Sequence, residues 1–311
     1  MSAVVISSNE DINEPIAVAI GTFDGVHLGH QRLIEVLKEK ATYHKAASAI
    51  YTFDRHPLSV LYPKSSPPLL MSTDQKIDAL SKCGINYIIL NSFDKKVAST
   101  DAKEFLNEML FKKYHIKAIV VGFNFTFGYK GHGNVELLQA EGAKNGIDVT
   151  IVESIKINGI TVSSSLIRHL IIKGCVEEAA VYLGRPFALN GIISSGHRVG
   201  YKIGFPTANL LPDDNIVIPN RGVYATYVSI NGENKLRQAV TNIGFRPTFN
   251  DNHISIESHL LDYNGELYGK KAEIQFISRL RDEMRFSSPD DLAAQIRKDI
   301  EKAREILTKS E

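Results

Sequence analysis

The segment Gly21-Thr22-Phe23-Asp24-Gly25-Val26-His27-Leu28-Gly29-His30-Gln31 constrains the fold of this chain more than any other. It follows the apolar run Ile16-Ala17-Val18-Ala19-Ile20 and precedes Leu33, Ile34, Val36, Leu37 and Ala41, which recur at helical spacing. It therefore lies where a buried strand ends and a helix begins. In a parallel α/β sheet that place is the ligand crevice, faced by unpaired backbone N–H groups and the positive end of a helix. Glycines let the backbone approach a phosphate closely, and two imidazoles three residues apart share one helical face. Neutral or charged, both rings can donate to phosphate oxygens. The residue types suit a nucleotide site for attack at phosphorus. On spacing alone, a tight turn with two helix-capping histidines remains the alternative.

The periodicity divides the chain into two halves. Up to Leu183, short apolar runs alternate with helical patterns. The candidate strands are 16–20, 49–53, 87–90, 118–121 and 149–152. Ser72 with Gln75 forms a capping box, Gly84 lies just past that helix, and Asn134 opens a helix through Lys144 that Gly146 can close. Such alternation implies a parallel sheet covered on both faces. After Leu183 the pattern becomes antiparallel: 223–228, the turn Asn231-Gly232, 236–240, 254–261 and 271–277. A terminal helix follows, with Ser288 as cap, Pro289 in the first turn, Asp290 and Asp291 at its positive end, and a stripe of Leu292, Ile296, Ile300 and Ile306. The expected architecture is an α/β Rossmann-like domain over 1–183 and an antiparallel β-barrel with a long terminal helix over 184–311.

Composition excludes several classes. A net charge of +1 gives no basic field for nucleic acid. No run approaches the ~18 apolar residues of a membrane span, and the first residues lack the pattern of a secretory signal. Cys83 and Cys175 are the only cysteines and lack metal-ligand spacing, which reads as small buried thiols in a reducing cytosol. A cytoplasmic protein is expected; its oligomeric state is left open.

Further segments bear on the sites. Thr161-Val162-Ser163-Ser164-Ser165-Leu166-Ile167-Arg168 joins a hydroxyl cluster to an arginine at a helix start, which suits triphosphate oxygens or an ordinary cap. Val121-Gly122-Phe123-Asn124-Phe125-Thr126-Phe127-Gly128 packs three aromatics at a strand end, for a core or for a flat aromatic ligand. Thr52-Phe53-Asp54-Arg55-His56-Pro57 ends another strand at the same crevice. Gly204-Phe205-Pro206-Thr207-Ala208-Asn209 reads as a turn, or as oxygen ligands for magnesium beside phosphates. Glu257 lies on an alternating strand, where spacing alone favours a solvated face.

The His-x-Gly-His block matches the nucleotidylyltransferase superfamily. Taken in order with the Ser-Ser-Ser-x-Ile-Arg run, Leu183-Gly184-Arg185-Pro186, Gly204–Asn209, Asn242-Ile243-Gly244-Phe245-Arg246-Pro247-Thr248-Phe249 and the Glu257 strand, it resembles the prokaryotic bifunctional riboflavin kinase/FMN adenylyltransferase family, the FAD synthetases. The resemblance covers nearly the whole chain. It implies phosphorylation of riboflavin to FMN by ATP in the second half, and adenylylation of FMN to FAD with release of pyrophosphate in the first. By this resemblance Glu257 is the general base, and Thr207 and Asn209 are magnesium and ATP-phosphate ligands, with Gly204 beside ATP. His27 and His30 stabilise the reacting phosphate. Gly21, Thr22, Phe23, Asp24, Gly29, Ser164, Ser165 and Arg168 bind ATP. Asn124, Phe53, His56 and Arg246 bind flavin. The chain departs from the family pattern at Arg55, commonly proline, at Ser165, more usually threonine, and at Tyr201, often arginine, with Lys202 next to it. A nucleotidylyltransferase for another acceptor would leave the second half unexplained. A flavin-binding regulator would have no need of Glu257, His30 and Asn209.

Overall fold

The computed structural model describes residues 3–194, 204–231, 233, 235–248 and 251–309, with the side chains of 246–248 and 251–253 outside the description. By internal contacts the chain forms two compact units, Met1–Ser164 and Ser165–Glu311.

The first unit contains β1 (Val4–Ser7), β2 (Ile16–Ile20), β3 (Ala47–Phe53), β4 (Tyr87–Asn91), β5 (Ile116–Gly122) and β6 (Asp148–Val152), with a small ribbon of β7 (Lys156–Ile157) and β8 (Ile160–Thr161). The first six form one sheet in the order β1-β4-β3-β2-β5-β6, and every pairing is parallel. Its helices are α1 (Leu28–Tyr43), α2 (Pro57–Leu61), α3 (Thr73–Lys82), α4 (Lys95–Ser99), α5 (Ala102–Glu104) and α6 (Val135–Lys144); α5 runs on into a π-helical segment, Phe105–Phe111. β2 is buried along its whole length because it serves two cores. Ile16, Val18 and Ile20 pack with Leu106 and Leu110, whereas Ala17 and Ala19 pack with Leu33, Ile34 and Leu37 of α1. An unbroken apolar run is what a strand covered on both faces requires.

The punctuation read from the sequence holds here. Both halves of the Ser72–Gln75 capping box form, Asn134 caps α6 through Leu137 N at 2.9 Å, and Gly84 and Gly146 take φ of +73° and +67°. The edge strand β1 escaped the sequence reading. It is short and half exposed, with Val4 and Val5 open to solvent, so it lacks the buried run that marks β2.

In the second unit α7 (Ser164–Lys173) and α8 (Val176–Leu183) precede β9 (Phe187–Ser194), β10 (Ala208–Pro212), β11 (Gly222–Ile230), β12 (Arg237–Thr248), β13 (Asp251–Leu260), β14 (Lys271–Arg281) and α9 (Pro289–Thr308). The six strands close an antiparallel barrel in the order β10-β13-β12-β11-β14-β9. The compact units divide earlier than the 183/184 boundary read from sequence, because the helices before it belong to the barrel's contacts. Glu177 Oε1 accepts from Ser278 Oγ at 2.6 Å and Arg279 N at 2.8 Å, and Asn220 N donates to Ile171 O. Gly184 ends α8 in the left-handed conformation, φ +72°.

Strands β9 and β10 were not legible in the sequence. The apolar sequence pattern of β9 is broken by Asn190-Gly191, and a side chain at Gly191 would collide with the Leu211 carbonyl of the neighbouring strand. The terminal helix begins at Pro289 as expected, with Ser288 Oγ accepting from Asp291 N at 3.1 Å. Its buried stripe is Asp299, Ala303 and Leu307, flanked by the half-buried Leu292, Ile296, Ile300 and Ile306. A carboxylate is tolerated on that stripe because Arg281 grips Asp299 through Nε at 3.0 Å and Nη2 at 2.7 Å. Cys83 and Cys175 form no disulfide and are half-buried rather than fully buried.

Candidate functional site

In the first unit the strand order places the crevice. From β2 the chain moves through β3 to β4 on one side and takes up β5 and β6 on the other, so β2 and β5 flank the switch point. The loop after β2 carries Gly21 to His27, the loop after β3 carries His56, and the loop after β5 carries Asn124. These candidates from three segments therefore lie at the carboxyl edge of three adjacent strands.

The loop after β2 is strained. Phe23 (φ 51°) and Val26 (φ 40°) lie in the left-handed region although both are bulky and almost fully buried. Core packing holds Phe23 beside Leu33 and Leu37, and Gln31 Nε2 donates to Val26 O at 3.0 Å. The loop delivers His27 as the N-cap of α1, where its Nδ1 accepts from His30 N at 3.3 Å. The sequence left open a capping or a functional histidine pair, and His27 is a cap. With Nδ1 accepting this bond, Nε2 is the ring's donor position. The His27 and His30 rings stack at 3.7 Å with 12° between their planes. A Cβ at Gly29 would lie 3.1 Å from the His27 ring, so glycine lets that ring fold over α1's first turn.

Other candidates hold the crevice together. Asp24 is buried; its carboxylate accepts from Leu70 N at 2.9 Å and its carbonyl from Ser164 Oγ at 2.9 Å. Thr22 O accepts from Thr52 Oγ1 at 3.2 Å. The Phe53 ring sits edge-on to Phe93 and Tyr51, and His56 caps α2 through Leu58 N at 3.1 Å. Of the three aromatics after β5, Phe125 and Phe127 stack and belong to the core, while Phe123 and Asn124 are exposed. Arg55 is exposed beside Asp54. Ser165 and Arg168 lie on α7 in the second unit, the former exposed and the latter buried. Sequence reasoning missed Lys76, whose buried ammonium donates to Phe53 O at 2.6 Å and Thr22 O at 3.4 Å. Its signal was a lysine four residues before Leu80, on the apolar face of α3.

In the second unit the candidates meet across strands. Glu257 of β13 pairs with Asn209 of β10 on one side and Asn242 of β12 on the other. Residues directly opposite on an antiparallel ladder share a face. Thr207 Oγ1 donates to Glu257 Oε2 at 3.4 Å. Glu257's neighbours Ile256 and Ser258 are buried on the opposite face, where Ser258, Thr241 and Thr226 form a hydroxyl ladder at 2.8 and 2.7 Å. Glu257 is only half-buried, but oxygen and amide groups flank it, so it is no ordinary solvated residue. His259 Nδ1 donates to Pro206 O at 2.8 Å and its ring meets Phe205 edge-on, tying the segment before Thr207 to β13. Gly204 takes φ +86° in open space. Asn242 and His259 became legible as neighbours of this site only through strand register. The side chain of Arg246 and residues 196–202, including Tyr201 and Lys202, lie outside the described residues.

Among the described residues no three His, Cys, Asp or Glu gather as a metal cluster. The donors at the barrel site are a hydroxyl, an amide and one carboxylate. Hard oxygen atoms, few in number, fit magnesium that keeps substrate phosphates and water as its remaining ligands.

A parallel sheet with a histidine-capped helix at its switch point, followed by an antiparallel barrel with a carboxylate between two asparagines, defines a two-site phosphotransfer protein. The FAD synthetase family model matches residues 9–166 and the riboflavin kinase model residues 183–307. The chain belongs to the bifunctional riboflavin kinase/FMN adenylyltransferase family. The Escherichia coli K12 protein of that name is 36% identical over 294 residues, 94% of this chain and 93% of that one. The Listeria monocytogenes protein is 35% identical over 303 residues, 97% of this chain and 95% of its own length. A crystal structure described as a macrolide-efflux protein from Streptococcus pneumoniae matches with a TM-score of 0.88 at 30% identity, covering 97% of this chain and 99% of that one. No helix among the described residues is long and apolar enough to cross a membrane.

Proposed function

We propose that the barrel site phosphorylates riboflavin and the histidine site adenylylates the resulting FMN, so that one chain makes FAD from riboflavin and two ATP-dependent steps. The chain is a transferase of the riboflavin kinase/FMN adenylyltransferase type. The placement of Glu257 between Asn209 and Asn242, with Thr207 in reach, carries the assignment of residues in the kinase step. Glu257 takes the proton of the riboflavin 5′-hydroxyl as its oxygen bonds to the γ-phosphorus and the bond to the β-phosphate oxygen breaks, releasing ADP. Thr207 and Asn209 would hold magnesium, which offsets phosphate charge when bound.

At the first site an FMN phosphate oxygen, already anionic, bonds to the α-phosphorus of ATP and pyrophosphate leaves. No base is needed. His27 Nε2–H and His30, at the positive end of α1, donate to the charge that develops there. Gly21, Thr22, Phe23, Asp24 and Gly29 shape the ATP side, and by the family resemblance Ser164, Ser165 and Arg168 also serve ATP. Asn124, Phe53 and His56 serve the flavin side, and Arg246 serves flavin at the barrel. The need for ATP supports the cytoplasm as the compartment.

The catalytic modules divide at 183/184, a boundary supported by a riboflavin kinase match over 183–307. A fragment 184–311 should turn riboflavin into FMN and make no FAD, while a fragment 165–311 should melt higher because it keeps α7 and α8. A folded 184–311 without kinase activity would reject this boundary. Purified protein given riboflavin, ATP and magnesium should yield FMN and then FAD by chromatography; FMN as the sole product would refute the reading of the first site.

A further inference from the structure

Lys76 is a charged group in a place that general physics disfavours. It is buried, and it lies in the first turn of α3, where the helix dipole opposes a cation. A residue needed only to fill the apolar face beside Leu80 would be a leucine or methionine. The ammonium instead reaches two main-chain carbonyls from different loops. One is Thr22 O, in the loop that leads to His27 and His30; the other is Phe53 O, where β3 ends ahead of His56. Neighbouring contacts serve the same two loops. Thr73 Oγ1 donates to Asp54 O at 2.6 Å, and Leu70 N donates to Asp24 Oδ1 at 2.9 Å. The segment 70–76 is thus pinned to both sides of the crevice, and Lys76 contributes a charged donor that reaches both loops. It lines a cavity of about 20 Å³ with Thr22, Asp24, Phe53, Asp54 and His56, room for a single water.

We propose that Lys76 is a positioning residue for adenylyl transfer. Its ammonium ties the Thr22 carbonyl to the Phe53 carbonyl, and so fixes the spacing between the histidine loop that meets ATP and the β3 loop that meets flavin. This rests on the assignment of the first site to FMN adenylylation. The charged groups facing Lys76 are Asp24 after β2 and Asp54 after β3, with Arg55 and His56 lining the same cavity. Burial lowers the Lys76 pKa to about 8, and the two carboxylates hold it from falling further. The ammonium is therefore charged below about pH 8 and loses its proton, and one donor, as pH rises through that value.

The test measures FAD formation from FMN in the full-length chain, with riboflavin phosphorylation as the control. Lys76→Met should keep kinase turnover near normal and lose FAD formation by about ten- to a hundred-fold, the range for a displaced reacting geometry. FAD formation by the native chain should decline as Lys76 loses its proton with rising pH, and Lys76→Arg, which stays charged, should recover part of the loss and move that decline to higher pH. Lys76→Met making FAD within twofold of the native rate would overturn the proposal. If Lys76→Met does not fold, the pH comparison decides: superimposable alkaline limbs in the native chain and Lys76→Arg would overturn it too. Absence of FAD formation in the native chain would instead refute the assignment of the first site.

Discussion

The two proposed sites of this chain would meet the same problem, charge at a phosphorus atom, with opposite architecture. In the first unit the groups come from loops at the ends of parallel strands, and their geometry is held by strain and caps: Phe23 and Val26 in the left-handed region, His27 on the end of α1. In the barrel the groups stand on the strands themselves, and the ladder fixes them: Glu257 opposite Asn209 and Asn242. Loop-built sites depend on what braces the loop. Strand-built sites depend on register, and a slip of one residue would turn Glu257 to the other face.

The strongest way to break this comparison is at the strand site. Glu257→Gln keeps the size of the side chain and loses the proton acceptor, so riboflavin phosphorylation should fall about 10²–10⁴-fold while FMN supplied directly still becomes FAD. A kinase assay with riboflavin and an adenylyltransferase assay with FMN check this, and a near-normal kinase rate would remove Glu257 from the mechanism.

At the loop site, His30→Ala removes a donor that stacks on His27. FAD formation should fall about 10²–10³-fold with riboflavin phosphorylation intact. Equal loss of both activities would mean a folding defect rather than a lost donor.

A subtler change sharpens the contrast. Gly29→Ala should favour α1 by roughly 0.8–1 kcal/mol of helix propensity. Yet the new Cβ would press on the His27 ring at 3.1 Å. The variant should melt no lower than the native chain and make FAD about tenfold more slowly. Faster or unchanged FAD formation would show that the ring's placement over α1's first turn does not matter.

The same contrast explains what the sequence made legible. The first site is nearly contiguous, since strand, turn, histidine pair and helix follow one another between Ile16 and Tyr43. The apolar positions Leu33, Ile34, Val36, Leu37 and Ala41 are the buried ones in α1. The capping role of His27 and its proposed donor role were not separable from spacing, because the cap rests on the bond Nδ1 accepts from His30 N, which spacing does not show. The barrel site joins residues some fifty positions apart (Thr207 and Glu257) through pairings that no local period encodes. Glu257 therefore looked like a solvated strand residue until resemblance to a family singled it out. Asn242 was visible only as part of a motif. Lys76 was hidden for a different reason: hydrophobic patterning assigns a lysine to the surface, and only the two carbonyls awaiting it explain its burial.

The central claim is that two independent sites in one chain carry out the two steps. Mixing two inactive halves tests it most directly. His30→Ala and Glu257→Gln proteins are each given riboflavin, ATP and magnesium, alone and together, and FAD is quantified. Alone, the first should stop at FMN and the second should leave riboflavin largely unconverted. Together they should make FAD, because FMN released by one is a substrate for the other. A mixture that makes no FAD, or a Glu257→Gln protein that cannot adenylylate added FMN, would contradict the independence of the sites.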